Sequence, residues 1–292
     1  MIMNDNSIES LTHEFLLEVD LDRVRLLDKM YTGVLEKPKN ELMQWLYAVL
    51  HTGNIKIEKQ NTIKTLNDLD DKIIKQLKDP GILTPAKVQE INNKKYPMIH
   101  GIRIKEEVNN QGTIKLPCFR PNLTPGFFMF VNTNEERLVE NMKRHYVYAD
   151  TPEYAINMWG NCVKQLIQHE VSFSSKVLST ASNYPRNDAL VFYSSHDKNK
   201  VESILIECIQ QTPLQIKNGS RIAKRLCYNL YTADDPIQTN HIQQSFGEHR
   251  CSAIADAIQD HFITGVDFKL LLKQRLLSYN INIKDVSENL TQ

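Results

Sequence analysis

Lys143-Arg144-His145-Tyr146-Val147-Tyr148-Ala149 opens the stretch that decides the fold, a strand followed by further elements in a set order. Pro152 to Glu170 predicts a helix, Val171 to Leu178 a strand, Ala189 to Ser194 a strand after a loop holding Tyr184-Pro185-Arg186, and Lys200 to Gln211 a second helix. The order β-α-β-β-α is the beginning of a split β-α-β sheet. The fold class read from it is α+β: a mixed, mostly antiparallel sheet with helices packed on one face and an N-terminal helical layer. Side chains alternate across a strand. Phe173, Val177 and Val147 therefore face the helices, while Ser172, Ser174 and Lys176 point the other way with Arg144, Tyr146 and Tyr148.

That second face, basic and aromatic, has three readings. It is a second core under a hairpin and the N-terminal helices, with Lys176 snorkelling outward. It is a base-stacking platform of the kind RNA modules use. Or it is a phosphate-handling cleft.

Working outward, the 292 residues carry 35 Lys plus Arg and 35 Asp plus Glu, so no global basic field draws in nucleic acid or an anionic membrane. Cys118, Cys162, Cys208, Cys227 and Cys251 are an odd number without a C-x-x-C pair, which predicts buried thiols in a reducing compartment and neither a metal site nor a disulfide framework. No apolar run approaches the ~18 residues that span a bilayer, and a cytoplasmic protein is expected. Phosphate-loop, dinucleotide, nucleophile-elbow and zinc-protease motifs are missing, so no cofactor is called for and the chain is not itself a kinase.

Toward the N-terminus, Leu11, Phe15, Leu16, Val19, Val24 and Leu27 recur at helical spacing and predict a helix from Ile8 to Met30. Helices follow over Glu41 to Leu50 and Thr62 to Lys78, giving a helical region 1–95 before an α+β domain 96–292. Met98 to Ile104 and Thr113 to Leu116 flank the turn Asn109-Asn110-Gln111-Gly112 as a hairpin. Pro117, Pro121 and Pro125 mark a loop, and Gly126 to Val131 a buried strand. Toward the C-terminus, Ser245 and Glu248 form a capping box that starts a helix near Phe246. Arg250 falls in its apolar stripe, with His249 at the edge, and a buried arginine needs a carboxylate or an anionic ligand.

Five phrases in order carry a resemblance: Thr124-Pro125-Gly126-Phe127-Phe128, Lys176-Val177-Leu178, Tyr184-x-Arg186-x-Asp188-Ala189-x-Val191-x-Tyr193, Ala233-Asp234-Asp235-Pro236 and Ser245-Phe246-Gly247-x-His249-Arg250-Cys251. From about Lys95 to Ile258 the chain resembles the HopA class of type III secretion effectors, which includes lyase-like proteins of class V lanthipeptide and thioamidated-peptide biosynthesis. Cys227-Tyr228-Asn229 departs from the small turn usual before the acidic pair. The resemblance implies a phosphoserine/phosphothreonine lyase that forms dehydroalanine or dehydrobutyrine on a precursor peptide phosphorylated by a separate kinase partner. It gives Lys176 the role of base, its pKa lowered by desolvation and by Arg144, and His249 that of acid, in either order. Arg186 and Arg250 would clamp the phosphate with Arg144 or Lys224 in support, and Asp188 would orient an arginine. The alternative implied is a non-enzymatic effector, served by a secretion chaperone, that binds a host immune or phosphoprotein target; a third is a catalytically dead phosphopeptide scaffold.

Overall fold

Val147, Phe173 and Val177 lie in one apolar layer, as strand parity requires, and that layer is one side of a seven-stranded sheet. The protein, a computed structural model, is described over residues 6–55, 67–91, 93–99, 102–104, 111–133, 142–215, 219–237 and 244–290. In chain order the elements are α1 (Ile8–His13), β1 (Phe15–Glu18), β2 (Arg23–Leu26), β3 (Lys29–Thr32), α2 (Lys39–Leu46) continuing as a π-helical turn (Tyr47–Thr52), α3 (Asp70–Ile74), β4 (Ile82–Pro85), β5 (Lys87–Ile91), β6 (Lys94–Ile99) and β7 (Ile102–Arg103). Then come β8 (Thr113–Leu116), β9 (Phe119–Thr124), β10 (Phe127–Asn132), β11 (Lys143–Ala149), α4 (Pro152–Gln168), β12 (Phe173–Leu178), β13 (Arg186–Ser194), α5 (Lys198–Gln211), β14 (Lys224–Cys227), β15 (Leu230–Asp234), α6 (Phe246–Thr264) and α7 (Phe268–Ser278).

The large sheet runs β14-β15-β11-β13-β12-β10-β9. β11 and β12 both pair antiparallel with β13 between them, so they are parallel to each other and joined by α4, which is the split β-α-β expected. α4 starts where Thr151 accepts the Tyr154 amide and Pro152 fills a position that needs no donor. Its buried stripe, with Trp159, Cys162, Val163 and Leu166, packs with α5 on one face of the sheet.

Helices also close the other face. Tyr146, Val191, Tyr231 and Ala233 pack there against Leu46 and Leu50 from the α2 region and Phe246, Ala253 and Ile254 of α6. Tyr146 is thus sealed in a second core rather than presented for stacking, and the cover is α2 and α6, not a hairpin. The expected 95/96 boundary falls inside β6, and N-terminal and C-terminal residues share this core.

Several local expectations are corrected. The helix read over Ile8 to Met30 ends at His13, and a three-stranded sheet β1-β2-β3 replaces the rest. Val24 and Leu26 are buried and alternate with exposed arginines, a period of two, and Asp22, Leu27 and Asp28 take positive φ that breaks any helix. Only Asp70–Ile74 of the third helix is helical among the described residues, and its start lies outside them. The hairpin does not form among the described residues: β8 pairs with β4, and β6 with β5 and β7, while Asn109 and Asn110, half of the proposed turn, lie outside them. The stretch read as a proline loop contains β9, where Pro121 is tolerated because the strand is an edge. Arg186 belongs to β13, not to the loop before it.

Candidate functional site

On β12, Lys176 stands opposite Met129 of β10, with Phe127 two residues further on. Its ammonium lies 4.2 Å from the centre of the Phe127 ring, and the Arg186 guanidinium carbon lies 5.3 Å from the same ring. Arg186 donates Nε and Nη2 to the two carboxylate oxygens of Asp188 at 2.7 and 2.6 Å, a bidentate pair that strand geometry permits because residues two apart share a face. Tyr47 of the π-helical turn donates its hydroxyl to Asp188 at 3.3 Å, and Asn187 donates to the His51 carbonyl at 2.9 Å, tying turn to strand. Burial alone would raise the Asp188 pKa; the charge and hydrogen bonds of Arg186 outweigh it and hold the carboxyl well below the usual range. His51, four residues after Tyr47, is buried, and desolvation pulls its imidazole down to about 4. Lys176, half-buried, has no hydrogen bond and no ion pair among the described residues.

Arg250 and His249 lie elsewhere. The capping box of α6 is present in both directions, with the Glu248 amide donating to Ser245 at 3.3 Å and the Ser245 amide to the Glu248 carboxylate at 2.8 Å. Arg250 is fully buried, yet its partners are neither a carboxylate nor an anion. It donates to the Val286 carbonyl at 2.9 Å, the Asn289 side-chain oxygen at 2.9 Å and His249 Nδ1 at 2.8 Å. A guanidinium only donates, so Nδ1 is the acceptor and the imidazole proton sits on Nε2. Desolvation and then the Arg250 charge pull His249 down to about 3, and desolvation lowers Arg250 to about 10, still protonated at neutral pH.

The two groups do not share a pocket. Between them stands an aromatic wedge in which His51 meets Tyr146 at 4.9 Å and Phe246 at 5.6 Å. A Cβ at Gly247 would overlap the Tyr47 and His51 rings, so glycine is what lets the first turn of α6 sit on the π-helical turn. Arg144 is committed to Asp235 and lies over the Tyr193 ring, so its charge is neutralised there. Lys224, on the sheet edge, pairs with Asp285 at 3.3 Å and Glu288 at 3.6 Å and fastens the C-terminal segment. Of the predicted residues, then, Lys176 and Arg186 come together, with Asp188 orienting the arginine. Tyr47, His51 and Phe127 were missed as site residues; the four-residue spacing of Tyr47 and His51 was the signal for the first two, but the helix expected over Glu41 to Leu50 stops one residue short of His51.

Past Met129 on the same sheet face lies a cavity of about 270 Å³. Among the described residues no group of three or more side chains is arranged to hold a metal ion, and no helix is long and apolar enough to cross a membrane.

Residues 118–287 match the model of the HopA1 effector protein family, and because that is more than half of the chain, the protein belongs to this family. The match contains all six predicted site residues and leaves out Tyr47 and His51. Among solved structures, the effector protein from Pseudomonas syringae pv. tomato strain DC3000 is similar at 20% identity and a TM-score of 0.45, over 56% of this chain and 63% of that one. The effector protein from Pseudomonas syringae pv. syringae strain 61 is similar at 14% identity and a TM-score of 0.44, with the same coverage. The alignment thus spans under two thirds of either effector's length. No curated protein matches the chain.

Proposed function

We propose that this effector-family protein is a cytoplasmic phosphoserine/phosphothreonine lyase acting on a peptide or protein segment phosphorylated by a separate kinase. The observation that carries the reading is the half-buried Lys176 ammonium, without a counter-ion among the described residues, beside Arg186 on one aromatic ring. Counting Lys176, Arg186 and Asp188, the cluster has an excess positive charge that an anion would satisfy, and Arg186 Nη1 makes no hydrogen bond among the described residues. In the reaction Lys176, once it has released its proton to solvent, acts as base: it takes the Cα proton and returns to the ammonium, the electron pair forms the Cα–Cβ double bond, and the Cβ–O bond breaks so that phosphate leaves with its electrons toward Arg186. His249 takes no part as the acid, because it is held neutral against Arg250 behind the aromatic wedge.

The test is incubation with phosphorylated peptides and mass spectrometry for loss of phosphoric acid. Lys176→Ala should lower the rate by about 100-fold or more. Intact phosphopeptide under all conditions, or full activity in that variant, would overturn the reading. The effector-family match supports a second reading: a translocated effector, for which we propose delivery with a chaperone and binding of a host immune or phosphoprotein target without turnover. Tight binding with unchanged peptide mass would select it.

A further inference from the structure

The cavity beside Lys176 is lined by Leu123, Met129, Val131, Ser174, Tyr193 and other neutral side chains, and among the described residues none of its lining carries a charge. Met129 is the register partner of Lys176, and Ser174 lies two residues from Lys176 on the same face of β12. The lysine head turns toward Phe127, at the opposite end from the cavity. The anion-binding end and the neutral cavity are therefore separated by Met129 and the lysine stem, about 7 Å for two strand residues. That is also the spacing between alternate side chains of an extended peptide.

We infer that the cavity is a side-chain subsite, taking an uncharged apolar residue two positions from the phosphorylated residue of the substrate. The inference rests on Lys176 as the contact to that phosphorylated residue. A charged side chain entering the cavity would lose its water and find only hydroxyls among the described residues, whereas an apolar one gains by burial against Leu123, Met129 and Val131. The volume, about 270 Å³, accepts a leucine or methionine side chain.

The experiment uses the whole chain and one phosphopeptide with glycine, leucine or aspartate placed in turn at each flanking position. Binding is read by fluorescence anisotropy and turnover by mass. Leucine at one of the two positions two residues away should improve binding or kcat/KM about tenfold over glycine, and aspartate should worsen it. Ser174→Phe, which fills the cavity, should erase the leucine-to-glycine ratio. Met129→Ala, which enlarges it, should shift the preference toward phenylalanine, and serves if Ser174→Phe does not fold. Phosphopeptides handled equally well whatever their neighbours, or a ratio unmoved in the folded variants, overturn the subsite while the phosphate reading stands. Failure to bind any phosphopeptide overturns both.

Discussion

The two faces of the seven-stranded sheet are both covered by helices, the second less completely at β10 and β12, and are built from opposite materials. Against α4 and α5 the core is nearly all apolar: Phe130 meets Trp159 edge-on at 6.0 Å and stacks on Phe173 at 5.7 Å, and the indole donates to Ser175 at 3.1 Å. Against α2 and α6 the sheet buries Arg144, Arg186, Asp188, Asp235, His51 and Arg250 among its hydrophobic residues. Each of those buried polar groups costs desolvation and is held by specific partners. The contrast shows where function has room: a face that already carries paired charges can host Lys176 in a position with no ion-pair partner among the described residues.

The comparison breaks first under single truncations. Asp188→Ala leaves Arg186 buried and uncompensated and should destabilise by about 3–5 kcal/mol, while Phe130→Ala on the apolar face should cost a similar ~3–5 kcal/mol for a different reason, lost contacts and a cavity. Urea unfolding measures both. The double replacement Arg186→Met with Asp188→Leu separates the two causes: it should recover stability to within about 1 kcal/mol of the parent, yet abolish phosphopeptide binding. A double variant as unstable as Asp188→Ala would show that the pair contributes stability beyond its mutual compensation.

Acid sharpens the comparison next. His51 and His249 have folded pKa values of about 4 and about 3, both below the ordinary histidine value. The unfolded chain therefore binds protons that the folded chain does not, and stability should fall as pH drops from about 6.5 to about 4, with His51 contributing on the order of 3 kcal/mol. His51→Phe should flatten that part of the profile, followed by thermal midpoint. The depressed carboxyl of Asp188 acts in a lower window: its contribution is intact above the unfolded Asp value and is lost only as pH falls toward its own pKa. The smallest effect is local to α6. Ser245→Ala removes the acceptor of the Glu248 amide and should cost about 1 kcal/mol, equally in the presence or absence of phosphopeptide.

Much of this could be read from the chain. The elements of residues 143–211, the parity that separates Val147, Phe173 and Val177 from Lys176, and the capping box at Ser245 rest on signals contained within a few residues. Asp188 two residues after Arg186 is the same kind of signal. Where two local readings compete, the sequence is ambiguous: Leu11 to Leu27 satisfies a helical spacing, but the alternation at Val24 and Leu26 and the positive φ at Asp22 prevail because the resulting strands bury Val24 and Leu26 in the core they share with α2, α6 and α7.

Taken alone, the amino-acid order determined the α+β class, the split β-α-β centre and the presence of Arg250 inside a helix, since periodicity and caps are properties of neighbouring residues. Only the tertiary structure decided the partners that lie far apart in the chain. Arg250 is satisfied by Val286 and Asn289, more than thirty residues on, and Tyr47 reaches Asp188 across 141 residues. Such pairings depend on which surfaces the chain brings face to face, and the energy that selects them comes from burying those surfaces together, which no short window of sequence contains.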